Sequence, residues 1–408
     1  MMEESKSSVE VRNQIVEAFK DVPIPKREQM IASEALDKEG IRVIERNLTG
    51  KRWSDLPLNF LEQQWTFYYH LSAHAYQYYL PAILIAALDN FDSNSTLVHT
   101  VVWLIKPSEW AIYDAGLDGR LEYHVEFFTP EQFAAVGAFL GLMLKQPQNY
   151  MAFLAARAFR LGWDRVDSPE RASFAEFHSE MRDWTYPEKP HWKYAYMNEP
   201  DDEIAGYIAE VIALKVEIAE AFAGTPYPGD DKLCGSIQWD EPAESALDFR
   251  GVSWQKAHPR LLAANYVSLS FLSPEGFRFY LPAYLTAELM GFADESNAQP
   301  DFSLTHGFSK PVQYEVSADL SFDKIAELLP GSFTVEQMQE LFAVQNKRSN
   351  EIDWRADGEA RMARFNRKER LAIIHYLEHR AKYDDFSANA ISEALENYWR
   401  PSLAESLD

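Results

Sequence analysis

Ser273–Leu289 reads SPEGFRFYLPAYLTAEL, and Ser72–Leu88 reads SAHAYQYYLPAILIAAL. One chain spells Tyr-Leu-Pro-Ala-x-Leu twice, each time with a proline where a helix should continue. In the later stretch Phe277, Tyr280, Leu281, Tyr284 and Leu285 recur at i, i+3, i+4, i+7 and i+8. Tyr76, Tyr79, Leu80, Ile83 and Leu84 do the same in the earlier one. That spacing predicts an amphipathic helix with a wide apolar stripe. Ser273 is a suitable N-cap, with Pro274 at the first helical position and Glu275 near the positive end of the dipole. Ser72 caps the earlier helix more plainly. Pro81 and Pro282 then fall in the third turn, where proline removes an N–H and costs roughly 3 kcal/mol. A kink is expected at each, releasing the carbonyls of Gln77 and Arg278.

The likeness spreads outward from these helices. Residues 51–91 lie on residues 252–292 without a gap, pairing Trp53 with Trp254, Tyr79 with Tyr280, Leu80 with Leu281 and Pro81 with Pro282. Upstream, IVEAFKDVPIP (Ile15–Pro25) matches IAEAFAGTPYP (Ile218–Pro228). Downstream, Phe128–Leu140 resembles Phe365–Leu377, and Tyr150–Trp163 resembles Phe386–Trp399. Four blocks in one order indicate a tandem duplication. The expected organisation is a first helical repeat unit over residues 1–163, a Pro- and aromatic-rich connecting strap over 164–203, and a second helical unit over 204–401.

Further helices are expected at Val11–Lys20, Asp37–Leu48, Trp53–Tyr69, Thr96–Ile105, Pro130–Leu144, Met151–Trp163 and Ser168–Trp184. The second copy repeats the plan at Ile204–Ala223, Trp254–Phe271, Phe322–Leu329, Val335–Asn346, Arg367–Lys382 and Ala388–Trp399. RLEYHVEFF and PVQYEVS alternate as strands do, so one small hairpin per unit is expected. The fold class is mainly α.

The pattern Ile-x-Glu-Ala-Phe, Pro-x-Pro, Trp, Phe-x-x-Tyr-Leu-Pro-Ala-x-Leu, Phe-Thr-x-Glu-Gln and a closing Tyr-Trp resembles an uncharacterised bacterial domain family of unknown function. The resemblance covers both units and is fuller in the second, where Phe277 precedes Tyr280, Leu281 and Pro282. It implies a fold unit present twice, and it brings no activity or catalytic residue.

With 39 basic and 63 acidic residues the formal charge is −24. Such a chain repels phosphate backbones and anionic membranes, so nucleic acid is disfavoured as a partner and no membrane association is expected. A basic protein is the partner that the charge favours. One cysteine, Cys234, excludes an intrachain disulfide. The opening MMEESKSSVEVR carries no apolar signal segment, and a cytoplasmic location is expected.

Candidate chemistry is sparse. His375, Glu378 and His379 form a His-x-x-Glu-His string on an expected helix, the order of an inverted zinc-peptidase motif. Imidazoles at i and i+4 share a helix face, so zinc is the one metal the sequence nominates, with Glu393 or Glu396 as a third ligand. The aligned first-copy positions, Ala138 and Leu142, carry no ligand. His70 and His74 make a weaker pair, because a cap at Ser72 leaves His70 outside the helix. No nucleotide-binding glycine motif or nucleophile elbow is present, so no other cofactor is expected. Arg361, Arg364, Arg367 and Arg370 make a basic stretch in an acidic chain, able to meet an anion or the chain's own acids. Three functions fit: a non-enzymatic interaction protein of immunity or inhibitor type, a metal-dependent hydrolase built on His375 and His379, or a structural subunit of a larger assembly.

Overall fold

The computed structural model describes residues 7–32, 38–90, 96–106, 125–145, 149–164, 168–190, 201–235, 240–292, 300–309, 353–384 and 387–405. The protein is mainly α. Among the described residues there is no strand, only two antiparallel bridges, Ile31 with Leu71 and Cys234 with Leu272. Two compact units form: Met1–Thr185 with Ser236–Asn265, and Tyr186–Gly235 with Tyr266–Asp408. The sequence copies and the compact units therefore follow different lines. Residues 236–265 belong to the second copy by sequence and to the first unit by packing.

The first unit begins with α1 (Ser8–Phe19), α2 (Lys38–Asn47), α3 (Leu58–Gln64), α4 (Ala73–Asp89) and α5 (Thr96–Ile105). It continues with α6 (Pro130–Met143), α7 (Asn149–Ala158) and α8 (Arg171–Arg182). The α4 helix carries the Tyr-Leu-Pro-Ala sequence and is buried on nearly every side. Full burial of each large apolar side chain contributes roughly 1.5–3 kcal/mol, which offsets the proline. The helix runs through Pro81 without a break. Ser72 caps it by accepting from the Ala75 N–H, and Tyr79 donates to the Leu48 carbonyl at 2.6 Å. That loop turns at Gly50, whose φ of 75° favours glycine. The α1 helix packs on α4 and α6, and α7 packs on α5 and α6.

The second unit starts at α9 (Asp201–Phe222). Before the chain returns to it, the first unit takes in α10 (Asp240–Phe249) and α11 (Pro259–Ala264). The second unit then holds α12 (Ser268–Phe271), α13 (Pro274–Leu289), α14 (Pro300–Thr305), α15 (Trp354–Met362), α16 (Arg367–Tyr383), α17 (Ala388–Ala394) and α18 (Arg400–Glu405). Pro282 sits inside α13, again without a break. Ser273 caps α13 through the Gly276 N–H, and its own N–H donates to the Leu233 carbonyl.

Finer details of the two copies are also duplicated. A π-turn closes each copy, Phe159–Trp163 and Leu395–Trp399. The closing tryptophan donates its indole N–H to a carbonyl at a helix end, Trp163 to Ile105 at 2.8 Å and Trp399 to Leu304 at 2.9 Å. A capping box opens α6 at Thr129 and Gln132, and another opens α16 at Asn366 and Glu369.

The long helices expected from Trp53 and Trp254 are divided. Each starts as a short 3-10 turn, and a proline follows, Pro57 or Pro259. The residue before a proline is pushed out of the α region, and His258 has ψ of 139°. Val125–Phe127, the end of one stretch read as a strand, form a turn. Residues 120–124 of that stretch, all of PVQYEVS and the helices expected over 322–329 and 335–346 lie outside the described residues.

Candidate functional site

The His-x-x-Glu-His string lies on α16, as its periodicity implies. Its three polar side chains do not converge. His375 Nδ1 stands 2.8 Å from Glu217 Oε1 on α9. His379 Nδ1 approaches Glu210 Oε1 on α9 at 3.3 Å, close enough for an ion pair but outside hydrogen-bond geometry. Glu378 turns outward to Arg400 at 2.9 Å. Burial holds the His379 imidazole below its usual range, against the pull of Glu210. Glu210 resists its own burial through bonds from Lys382 and Tyr383 and stays below the usual carboxylate range. Among the described residues no group of three or more His, Cys, Asp or Glu side chains is disposed to hold a metal ion.

The arginine stretch is mostly committed within its own unit. Arg361 donates to the Leu269 carbonyl at 3.1 Å and lies over the Phe277 ring. Arg364 pairs with Glu275 at 3.0 Å. Arg370 is buried and donates to the carbonyls of Phe365 and Met362. Arg367 is exposed at the start of α16.

Sequence reading passed over two buried charge clusters. In the first unit, Arg157 on α7 donates to Glu244 and Asp248 on α10, with Nη2 to Asp248 Oδ2 at 2.6 Å. Lys106 closes on the other Glu244 oxygen, and Asn265 donates to Asp248 at 3.0 Å. The side chains of Lys106 and Arg157 are each 2% exposed. Burial works to raise the Asp248 carboxyl, but the Arg157 charge outweighs it and the group sits below its usual range. Nearby, burial and the Arg160 charge push His178 down to about 4.

In the second unit, Arg380 near the end of α16 faces three carboxylates. Glu288 is at 3.0 Å, Asp301 at 3.5 Å and Asp384 at 2.6 Å. Tyr376 donates to Glu288. One guanidinium cannot compensate three carboxylates, of which Asp301 is buried, Glu288 nearly so and Asp384 half-buried. Burial, with Asp301 and Asp384 adding to it, pushes Glu288 up to about 7 despite Arg380. Burial and the Glu288 charge raise the Tyr376 phenol well above its usual value. This cluster can take up a proton near neutrality.

The Tyr-Leu-Pro-Ala residues and the two tryptophans build the core: Tyr79, Leu80, Tyr280 and Leu281 are fully buried, Pro81 and Pro282 lie with them, and Trp254 is buried while Trp53 is half-buried. A family model, described as a family of unknown function (DUF6714), matches residues 7–165 and 214–326. No curated protein and no solved structure matches the chain.

Proposed function

The chain belongs to that family of unknown function and carries its domain twice, and on this premise we propose that it is a non-enzymatic interaction protein of the bacterial cytoplasm. Its partner is a basic protein, held as an inhibitor or immunity protein holds a cationic target. The observation that carries this reading is the surplus of acids, 63 against 39 basic residues. A surplus of that size attracts and steers a cationic surface. The dispositions of the nominated chemical groups support it. His375, His379 and Glu378 are each drawn to a separate partner. No helix among the described residues is long and apolar enough to cross a membrane.

The test is capture on the immobilised full chain from the native host, followed by reconstitution with the purified partner over a salt series. A stoichiometric partner of basic isoelectric point, with affinity falling steadily as salt rises, is expected. An acidic partner, a salt-insensitive complex, or no stoichiometric partner at near-physiological salt overturns the reading.

A further inference from the structure

The first unit contains a helix-on-helix contact between the two sequence copies. The α7 helix of the first copy packs on α11 of the second, and Arg157 reaches Glu244 and Asp248 on α10. Arg160 of the same copy lies 3.9 Å from Asp248. Both participants have counterparts in the other copy. Aligning Gly50 and Trp53 with Gly251 and Trp254 places Val43 and Asn47 of α2 where Glu244 and Asp248 stand in α10. Aligning Trp163 with Trp399 places Glu393 and Glu396 where Arg157 and Arg160 stand.

The counterparts differ in burial and in charge. Glu244, Asp248 and Pro259 are buried, whereas Val43 and Asn47 are half-buried and Leu58 is 42% exposed. Arg42, Arg46, Lys51 and Arg52 are exposed around that face, and a surface depression there is lined by Arg42, Val43, Glu45, Arg46 and Asn47. Glu45, the acid among them, pairs with Arg27 at 3.2 Å. On the other side, α7 is buried from Met151 to Ala158, while α17 and the π-turn that follows it turn Asn389, Ser392 and Glu396 to solvent, with Glu393 half-buried beside them. The internal contact sets cations on α7 against acids on α10. The two outer faces reverse this, with cations on α2 and acids on α17.

We propose that these outer faces bind each other between molecules: the α17 face of one chain, with Glu393 and Glu396, docks on the α2–α3 face of a second copy of this chain, with Arg42 and Arg46. The contact repeats the α7-on-α10 geometry with its charges exchanged. It is heterologous, joining different surfaces of identical chains, so it extends head to tail unless a rotation closes a ring. The formal charge of −24 opposes association at long range. At physiological ionic strength the Debye length is about 8 Å, so distant repulsion is screened while pairs in contact persist. This inference is independent of the basic partner proposed above.

Sedimentation velocity on the full chain over a concentration series at physiological salt tests it. Wild type is expected to form oligomers that grow with concentration. The variants R42E/R46E and E393R/E396R are each expected to be monomeric, with association weakened roughly tenfold or more per pair lost. Mixing the two variants pairs an acidic α2 with a basic α17 and leaves the original basic α2 facing the original acidic α17, so association is expected to return as oligomers in which the two variants alternate. Glu396→Arg alone, at an exposed position, provides a variant whose fold is not at risk, and unchanged circular dichroism checks the others. Wild type that stays monomeric, oligomers indifferent to every variant, or a mixture that fails to pair overturns the proposal. So does a wild-type monomer that binds an acidic protein through Arg42 and Arg46.

Discussion

The first and second copies satisfy their backbones in the same way and place their charges in different ways. Ser72 and Ser273 cap equivalent helices, and Trp163 and Trp399 donate to equivalent helix ends. Glu288, Asp301, Tyr376 and Arg380 cluster in one unit, yet the aligned first-copy residues are Ala87, Val102, Phe139 and Met143. The difference separates two kinds of constraint. A helix end buried without a partner costs free energy in any protein, so its solution is retained through duplication. A buried ion cluster costs desolvation that a hydrophobic substitute avoids, so it can arise or vanish in one copy without changing the fold.

The largest effect should come from breaking the cluster that only the first unit holds. Arg157→Met leaves Glu244 facing Lys106 alone and Asp248 with Asn265 and the distant Arg160. Removing one member of a buried ionic network costs roughly 3–5 kcal/mol. The expected result is a loss of that order in denaturant melts, with hydrogen exchange in α7, α10 and α11 accelerated first. A loss below about 1 kcal/mol would mean that the cluster is well hydrated and that the copies differ less than their charges imply.

Acidity offers a second way to separate the units. Glu288 has its pKa raised to about 7 by burial. Its contribution is fully present below the unfolded carboxylate value near 4.5 and is lost as pH rises through about 7. The span corresponds to roughly 3 kcal/mol. In the first unit burial pushes His178 and His258 down to about 4, so their contribution runs the other way and is lost as pH falls from 6.5 through 4. His379 and His306 of the second unit are also lowered and share that acid-side loss. The informative quantity is therefore wild type minus Glu288→Gln, followed by hydrogen exchange in α13 and α16. That difference should fall between pH 5 and 8, and the first unit should not show it. A flat difference would mean that Glu288 is not the group that titrates.

What the sequence made legible follows from how local each signal is. The Pro helices could be placed because cap, proline and apolar period lie within one stretch, Ser273 to Leu289. Thr129-Pro-Glu-Gln announced α6 for the same reason. The Arg157 cluster joins residues 87 and 91 positions apart, and no local pattern distinguishes Glu244 from any other acid in this chain. DEPAESALDF, the sequence of α10, looks like solvated surface; its burial depends on cations supplied from α7 and from Lys106. The His-x-x-Glu-His string fails to converge for the complementary reason. A helix face sets where two imidazoles start, but Glu210 and Glu217 on α9 decide where they point.

The smallest expected effect tests the comparison most sharply, at a node both copies kept with different chemistry. In the first copy Gln77 donates to Gln132 at 2.9 Å, and Gln132 donates to the Ala18 carbonyl. At the positions aligned with Gln77 and Gln132, Arg278 of the second copy donates to Glu369 at 2.9 Å; Thr225, aligned with Val22, donates to the same carboxylate at 2.7 Å. Glu369 is fully buried, so Arg278→Gln alone leaves a carboxylate supported mainly by Thr225 and the Asn366 and Glu369 capping box. That single change should cost roughly 1–3 kcal/mol. Changing both, Arg278→Gln with Glu369→Gln, installs the first copy's neutral pair in a site of the same backbone geometry, and the net loss should be under about 1 kcal/mol. Denaturant melts of the two singles and the double give the coupling directly. If the double costs as much as Arg278→Gln alone, the charges are required at this node, and the two copies are not interchangeable even where their hydrogen bonds coincide.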